Sequence, residues 1–258
     1  MRIYPVFLSH AGCRQRCVFC NQSAAERIKP WKESIEEAFD YIQKSNLVYD
    51  EIAFYGGTPT SSEELLKDIL QPFQIFLKTG KVNGIRISTR PDEINERIIQ
   101  ILARYYVSTV EIGVESFSDE VLRLSKRDYT AADVIRAHEL LKGRFREVFQ
   151  LMVGLPGETD RYREETISKT VSLKPWGVRY FPTLVLRGTE LQKMYESGAY
   201  QPLSMEEALY WSRRAYESFT GAGIAVLQIG LHSSEFLSGE LVAGPYSGNF
   251  GELVRGVM

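Results

Sequence analysis

The chain has 258 residues, 44% hydrophobic and 25% charged, with a formal net charge of −2. This is ordinary globular usage, with no global basic field to draw in nucleic acid and no apolar run long enough to span a bilayer, so no membrane partner is expected. Residues 3–8 are apolar but short, so no secretory signal is read, and three clustered cysteines without partners elsewhere point to a reducing cytoplasm.

Short β-branched runs at 3–8, 51–55, 85–89, 109–114, 148–153 and 178–182 alternate with amphipathic stretches at 33–44, 62–78, 94–105, 118–141 and 161–173. That alternation predicts βαβ units around a parallel sheet. Oxygen acceptors and acids mark helix starts at Ser61-Ser62-Glu63-Glu64 and Ser118-Asp119-Glu120. Six units lie within residues 1–182, short of the eight strands of a closed barrel. Helical patterns at 189–198 and 204–220 follow, then a glycine stop at 221–223, a seventh β-like run at 224–229 and a glycine-rich final thirty residues. The expected class is α/β: an open partial (β/α)6 barrel of parallel strands over 1–182, with a C-terminal extension, 183–258, packed on the same domain.

The cysteines sit within eight residues, Cys13-Arg-Gln-Arg-Cys17-Val-Phe-Cys20. Iron–sulfur clusters take cysteine thiolates, ordinarily four. A C-x3-C-x2-C loop would therefore hold three irons of a [4Fe–4S] cluster and leave the fourth open to a ligand. Zinc is the alternative, with His10 completing a Cys3His set. A disulfide framework would need an even count in a shorter chain.

In parallel β/α folds, ligand-binding groups gather at the C-terminal ends of strands, and the unusual segments fall there. Tyr55-Gly56-Gly57-Thr58-Pro59-Thr60 follows the second strand, and adjacent glycines let backbone approach a ligand closely. Standing alone, it would read as a plain turn. The third strand ends in Ile87-Ser88-Thr89-Arg90-Pro91-Asp92, and the fourth in Glu111-Ile-Gly113-Val-Glu115-Ser116-Phe117. A partly enclosed glutamate such as Glu115 wants a hydrogen-bonding partner. The fifth carries Gln150-Leu-Met-Val-Gly154-Leu-Pro-Gly157-Glu-Thr159. No side chain is assigned a catalytic role.

Taken together, these segments resemble the radical S-adenosylmethionine (SAM) enzymes, in the branch that includes the elongator catalytic subunit and the oxygen-independent coproporphyrinogen oxidases. Ser9-His-Ala-Gly-Cys13, Cys17-Val-Phe-Cys20-Asn-Gln22, Ser88-Thr-Arg-Pro-Asp92, Leu151-Met-Val-Gly-Leu-Pro-Gly157 and Gly188-Thr-Glu-Leu191 are closer to the elongator-type half. The similarity runs in order over essentially the whole chain. It implies a [4Fe–4S] cluster on Cys13, Cys17 and Cys20, SAM on the open iron, and reductive cleavage of SAM to a 5′-deoxyadenosyl radical. A low-potential electron donor of the flavodoxin or ferredoxin type is implied with it. The same resemblance sets Phe19 near the adenine and gives Gly56, Gly57 and Thr58 to the methionine amino end. It makes Ser88 a polar SAM contact, Arg127 the partner of the SAM carboxylate, and Glu115 and Gln150 contacts of the ribose or adenosine.

Two departures stand out: Glu115 replaces a more usual glutamine, and Lys126-Arg127-Asp128-Tyr129 replaces a basic-glycine-histidine stretch. No acetyltransferase half is read, so elongator's own reaction is not assumed, and the ending at 250–258 reads as though relatives continue further. The expected substrate is RNA, tRNA above all, with Arg14 and Arg16 beside the cluster as phosphate contacts. A porphyrinogen or other small molecule is the alternative substrate. Outside the enzyme class stand a non-catalytic iron–sulfur or zinc module and an RNA-binding protein that has lost its chemistry. His10 either adjusts the cluster site or packs its loop. His138 is expected to be structural, and His232 lies near where substrate would enter.

Overall fold

The computed structural model describes residues 2–21, 29–231 and 239–256, so His232 and Gln22 lie outside the described residues. The strands are β1 (Ile3–Phe7), β2 (Glu51–Tyr55), β3 (Ile85–Thr89), β4 (Val107–Glu115), β5 (Arg146–Val153), β6 (Gly177–Pro182), β7 (Val185–Leu186), β8 (Ala225–Ile229) and β9 (Leu241–Ala243). One sheet runs in the order β1-β2-β3-β4-β5-β6-β8. Its registers are parallel, as in Ile3↔Glu51, Ile52↔Ile85 and Gln150↔Arg179. Each strand thus lies beside its predecessor in the sheet, the singly wound order of a β/α barrel. Seven strands among the described residues fall short of the eight of closure. The α/β open partial barrel is therefore borne out, and the run at 224–229 joins the sheet as a further parallel strand beside β6.

The helices are α1 (Trp31–Lys44), α2 (Glu63–Leu70), α3 (Gln74–Lys78), α4 (Glu96–Arg104), α5 (Asp119–Leu124), α6 (Ala131–Leu141), α7 (Asp160–Leu173), α8 (Glu190–Glu196), α9 (Met205–Gly221) and α10 (Phe250–Arg255). Ser62, Asn95, Ser118, Thr159 and Thr189 each accept a backbone N–H of the first turn, and Ser204 with Glu207 forms a full capping box. Two expected helices are each divided. The stretch at 62–78 breaks into α2 and α3 at Pro72, which has no N–H to continue the ladder. The stretch at 118–141 breaks after α5, where Lys126 takes a left-handed φ of 55°. There Lys126 N–H returns to Arg123 O at 3.1 Å and Arg127 N–H to Leu122 O at 2.8 Å, a Schellman stop with lysine where glycine is usual. Among the described residues, no helix is long and apolar enough to cross a membrane.

The chain divides into two compact units. The first comprises 1–14, 24–113 and 135–147, with Ile52, Phe54, Ile85, Ile87, Phe73 and Leu66 fully buried. At the N-terminal ends of its strands lies a buried ionic network. Arg86 reaches Glu51 Oε2 through Nε at 2.8 Å and Nη2 at 2.7 Å, and Glu111 Oε2 through Nη1 at 3.2 Å. Glu51 Oε1 also accepts from Arg146 Nη2 at 2.9 Å, Ser108 Oγ at 3.0 Å and Thr109 Oγ1 at 2.5 Å. Removing the central cation takes from two buried carboxylates the charge they share, so Arg86→Met should cost about 3–5 kcal/mol of stability. Urea unfolding of the two proteins measures this.

The second unit comprises 15–23, 114–134 and 148–258. Here Tyr180 meets Phe219 of α9 edge-on at 6.0 Å, and β7 pairs with β9 in antiparallel fashion. After β5, Glu158 folds back to accept Gly154 N–H at 2.6 Å and Arg163 Nε at 3.1 Å. Tyr200 OH donates to Gly154 O at 2.6 Å, and Arg163 lies 5.4 Å over the Trp211 ring. Burial outweighs these donors and pushes the Glu158 carboxyl up to about 7. Between the ordinary carboxylate range and that value, the folded state holds a proton that the unfolded state releases. Stability therefore falls as pH rises through this window and levels off above it. Glu158→Gln should remove from the pH–stability curve a slope worth on the order of 2–3 kcal/mol between about pH 5 and 8, read from urea midpoints of both proteins.

Candidate functional site

In the first unit, the start of the cysteine loop is joined to the segment after β2. Leu8 N–H donates to Tyr55 O at 2.7 Å, His10 N–H to Gly56 O at 2.6 Å, and Thr58 N–H to Ala11 O at 2.8 Å. Contact is so close that a Cβ on Gly57 would lie 2.7 Å from Ala11 O. On Gly12, which has φ +77°, a Cβ would lie 2.2 Å from Thr58 O. The glycines therefore first serve to bring two backbone segments together. The result sets Cys13 Sγ 3.4 Å from Thr58 Oγ1. Gly57 is left with an N–H and a C=O that make no hydrogen bond among the described residues.

Ser88, near the end of β3, has a buried Oγ with no hydrogen-bond partner among the described residues. Arg14, largely exposed, pairs with Glu93: its Nε lies 3.2 Å from Glu93 Oε1 and its Nη2 3.3 Å from Glu93 Oε2. His10, at φ +61°, shapes the loop through its backbone. His138 is buried with Nδ1 2.6 Å from Glu147 Oε2, the structural role expected of it.

In the second unit, the rest of the loop is clamped at Val18, whose N–H donates to Ser125 O at 3.2 Å and whose C=O accepts Leu191 N–H at 2.8 Å. Val18 is buried with Val185, Leu191 and Tyr200, and the half-buried Phe19 packs against that cluster. Phe19 thus takes part in the apolar contacts that hold the loop, a use the motif alone did not reveal. Cys20 N–H closes a turn on Cys17 O at 3.1 Å.

The Schellman stop after α5 delivers Arg127 to this loop. Its Nη1 donates to Cys17 Sγ at 3.0 Å and its Nε to Tyr129 OH at 2.9 Å, while Nη2 stands 3.5 Å from Glu115 Oε1. Tyr129 OH donates in turn to Val114 O at 3.2 Å. Gln150 Nε2 donates to Glu115 Oε1 at 3.3 Å, and Glu115 Oε2 is buried without a partner among the described residues. Burial pushes the Glu115 carboxyl up, against the opposing pull of Arg127 and Gln150. Burial also opposes the charge on Arg127, but Tyr129, Cys17 and Glu115 together outweigh it and hold the guanidinium protonated.

The structure thus brings Cys17, Arg127, Glu115 and Gln150 into one run of two hydrogen bonds and an ion pair, and Cys13 and Thr58 into a second contact. Tyr129 is the member that sequence reasoning missed. Its signal was the i, i+2 spacing from Arg127 in a stretch already marked as a departure. Among the described residues no three His, Cys, Asp or Glu groups stand together as a formed metal site. No disulfide ties the three cysteines, and all are partly exposed. Three free thiols on one loop are the donor chemistry that suits a thiolate-held cluster. Metal binding itself gathers such ligands.

A family model for the radical SAM superfamily matches residues 8–170, and one for the radical SAM C-terminal domain matches 175–258. The tRNA uridine(34) acetyltransferase of Methanocaldococcus jannaschii is 38% identical over 127 residues, 48% of this chain and 24% of that protein. Among solved structures, the Methanocaldococcus infernus Elp3 with an N-terminal deletion superposes with TM-score 0.75 at 23% identity, covering 100% of this chain and 62% of that one. Coproporphyrinogen III oxidase HemN of Escherichia coli, a radical SAM enzyme, gives TM-score 0.63 at 18% identity over 86% of this chain and 52% of its own. Both structural likenesses show the fold. The chain spans about a quarter of the curated acetyltransferase. With the first family model covering well over half of it, the chain belongs to the radical SAM superfamily, whose members use a [4Fe–4S] cluster and SAM.

Proposed function

We propose that the protein is a cytoplasmic radical SAM enzyme that holds a [4Fe–4S] cluster through Cys13, Cys17 and Cys20 and modifies an RNA, tRNA above all. The observation that carries this reading is the run Cys17–Arg127–Glu115–Gln150, which ties the cysteine loop to the ends of two strands. With cluster and SAM bound, the site supplies reductive cleavage of SAM to a 5′-deoxyadenosyl radical. The chain's own residues bind and orient. The Gly57 carbonyl and Thr58 hydroxyl suit the methionine ammonium, Arg127 the carboxylate, and the unspent oxygens of Glu115 and Ser88 the hydroxyls of the nucleoside. The electron comes from a low-potential donor of the flavodoxin or ferredoxin type.

The tRNA reading is supported by the acetyltransferase relative and the Elp3 likeness. A small-molecule substrate such as a porphyrinogen is the second reading, favoured by the HemN likeness and by the engagement of Arg14 with Glu93.

Reconstituted without oxygen, the protein should take up about four irons per chain with matching sulfide and, once reduced, convert SAM to 5′-deoxyadenosine. Replacing Cys13, Cys17 or Cys20 by alanine should remove most of the iron and the cleavage. Zinc in place of iron, with no iron uptake, overturns the reading.

Binding of the cluster-loaded protein to total tRNA should be detectable at low salt and fall steeply as salt rises, because phosphate contacts release counterions. No binding at low salt transfers the assignment to a small molecule.

A further inference from the structure

We propose that Arg127 tunes and orients the iron–sulfur cluster by hydrogen-bonding the sulfur of Cys17, a positioning role distinct from any contact with SAM. The inference rests on the reading of Cys17 as a cluster ligand. Its geometric basis is the 3.0 Å separation of Arg127 Nη1 and Cys17 Sγ, short for a donor facing sulfur.

The guanidinium is held in place from several sides. Tyr129 OH takes Nε at 2.9 Å and is itself fixed by donating to Val114 O at 3.2 Å. The Tyr129 ring also lies 4.8 Å from Arg127 Cζ. Glu115 Oε1 faces Nη2 at 3.5 Å and is steadied by Gln150 at 3.3 Å. The backbone is equally constrained, since the turn at Lys126, with φ 55°, sends Arg127 N–H back to Leu122 O at 2.8 Å. Glu115 itself sits at φ +59°, a region that costs a non-glycine residue energy and is kept where the surroundings over-determine it. The side chains of Arg127 and Glu115 are 9% and 2% exposed, so water screens little of the charge.

A fixed cation donating to a thiolate ligand drains negative charge from the sulfur. It favours the more negative, reduced state of a cluster and so raises the reduction potential. A lysine would keep the charge but lose the planar fork that aims one N–H at sulfur while others are held elsewhere. The potential therefore depends on the directed bond as well as on the charge.

The test uses full-length wild type, Arg127→Met and Arg127→Lys, each reconstituted without oxygen and titrated without SAM while the reduced cluster is followed by electron paramagnetic resonance. Both variants should load iron and sulfide as wild type does. Their midpoints should be more negative than wild type, with methionine shifted most and lysine intermediate. If the methionine variant fails to fold or to load, the lysine variant decides. A loaded lysine variant with an unchanged midpoint overturns the directed bond, and a loaded methionine variant with an unchanged midpoint overturns the role altogether. Wild type that takes up no iron overturns the cluster reading beneath it, a result distinct from either.

Discussion

A buried guanidinium against a cysteine sulfur is the contact on which the second unit's site depends. A charge taken out of water is tolerated only where partners replace its hydration. Arg127 finds them in a thiol, a phenol and a carboxylate, brought by the cysteine loop, the α5–α6 connection and the end of β4. Because each partner comes from a different element, none can shift without leaving the cation short of compensation. The loop is tied again by Val18, whose amide and carbonyl are both held and whose side chain is buried. A segment whose cysteines must stay accessible is thus anchored through the residue between them.

Charge is used differently at the two ends of the strands. In the first unit, Arg86, Glu51 and Glu111 lie at the N-terminal side with side chains no more than 2% exposed, and their lone pairs and N–H groups are turned on one another and on Thr109, Ser108 and Arg146. That network pairs buried charges of opposite sign and serves stability. At the C-terminal ends, the Ser88 hydroxyl and one Glu115 oxygen remain without protein partners among the described residues. Unsatisfied buried oxygens cost free energy, and the C-terminal ends of the strands are where a β/α fold binds its ligands.

The central strands were legible in the sequence because burial writes them as short apolar runs, such as Ile85 through Thr89 or Val148 through Val153. Six runs were placed within two residues of their observed ends, and the seventh was seen without being assigned to the sheet. Helix ends were less legible. Pro72 marks a break within 62–78, whereas the stop at Lys126 lacks the glycine that ordinarily marks one. The cysteine spacing marks the loop but not its neighbours in space. Nothing in one dimension relates Arg127 to Cys17, 110 positions apart. The motif also does not disclose that Phe19 packs against the apolar cluster of Val185 and Leu191.

The two departures from the family pattern turn out to be neighbours in space. A glutamate where glutamine is more usual adds a buried carboxyl, and a tyrosine ends the stretch where histidine was expected. Arg127 touches both, with Nη2 toward Glu115 and Nε on Tyr129 OH. Burial would drive a lone carboxyl at 115 to stay protonated, and the adjoining cation pulls the other way. A neutral phenol, kept protonated by its own burial, can accept from the guanidinium and still donate to Val114 O. An imidazole could accept at one nitrogen only as the tautomer that donates at the other, in a ring too short to span the same two partners. The carboxylate and the phenol thus act together on one cation, and Arg127 is the residue through which Glu115 and Tyr129 are joined.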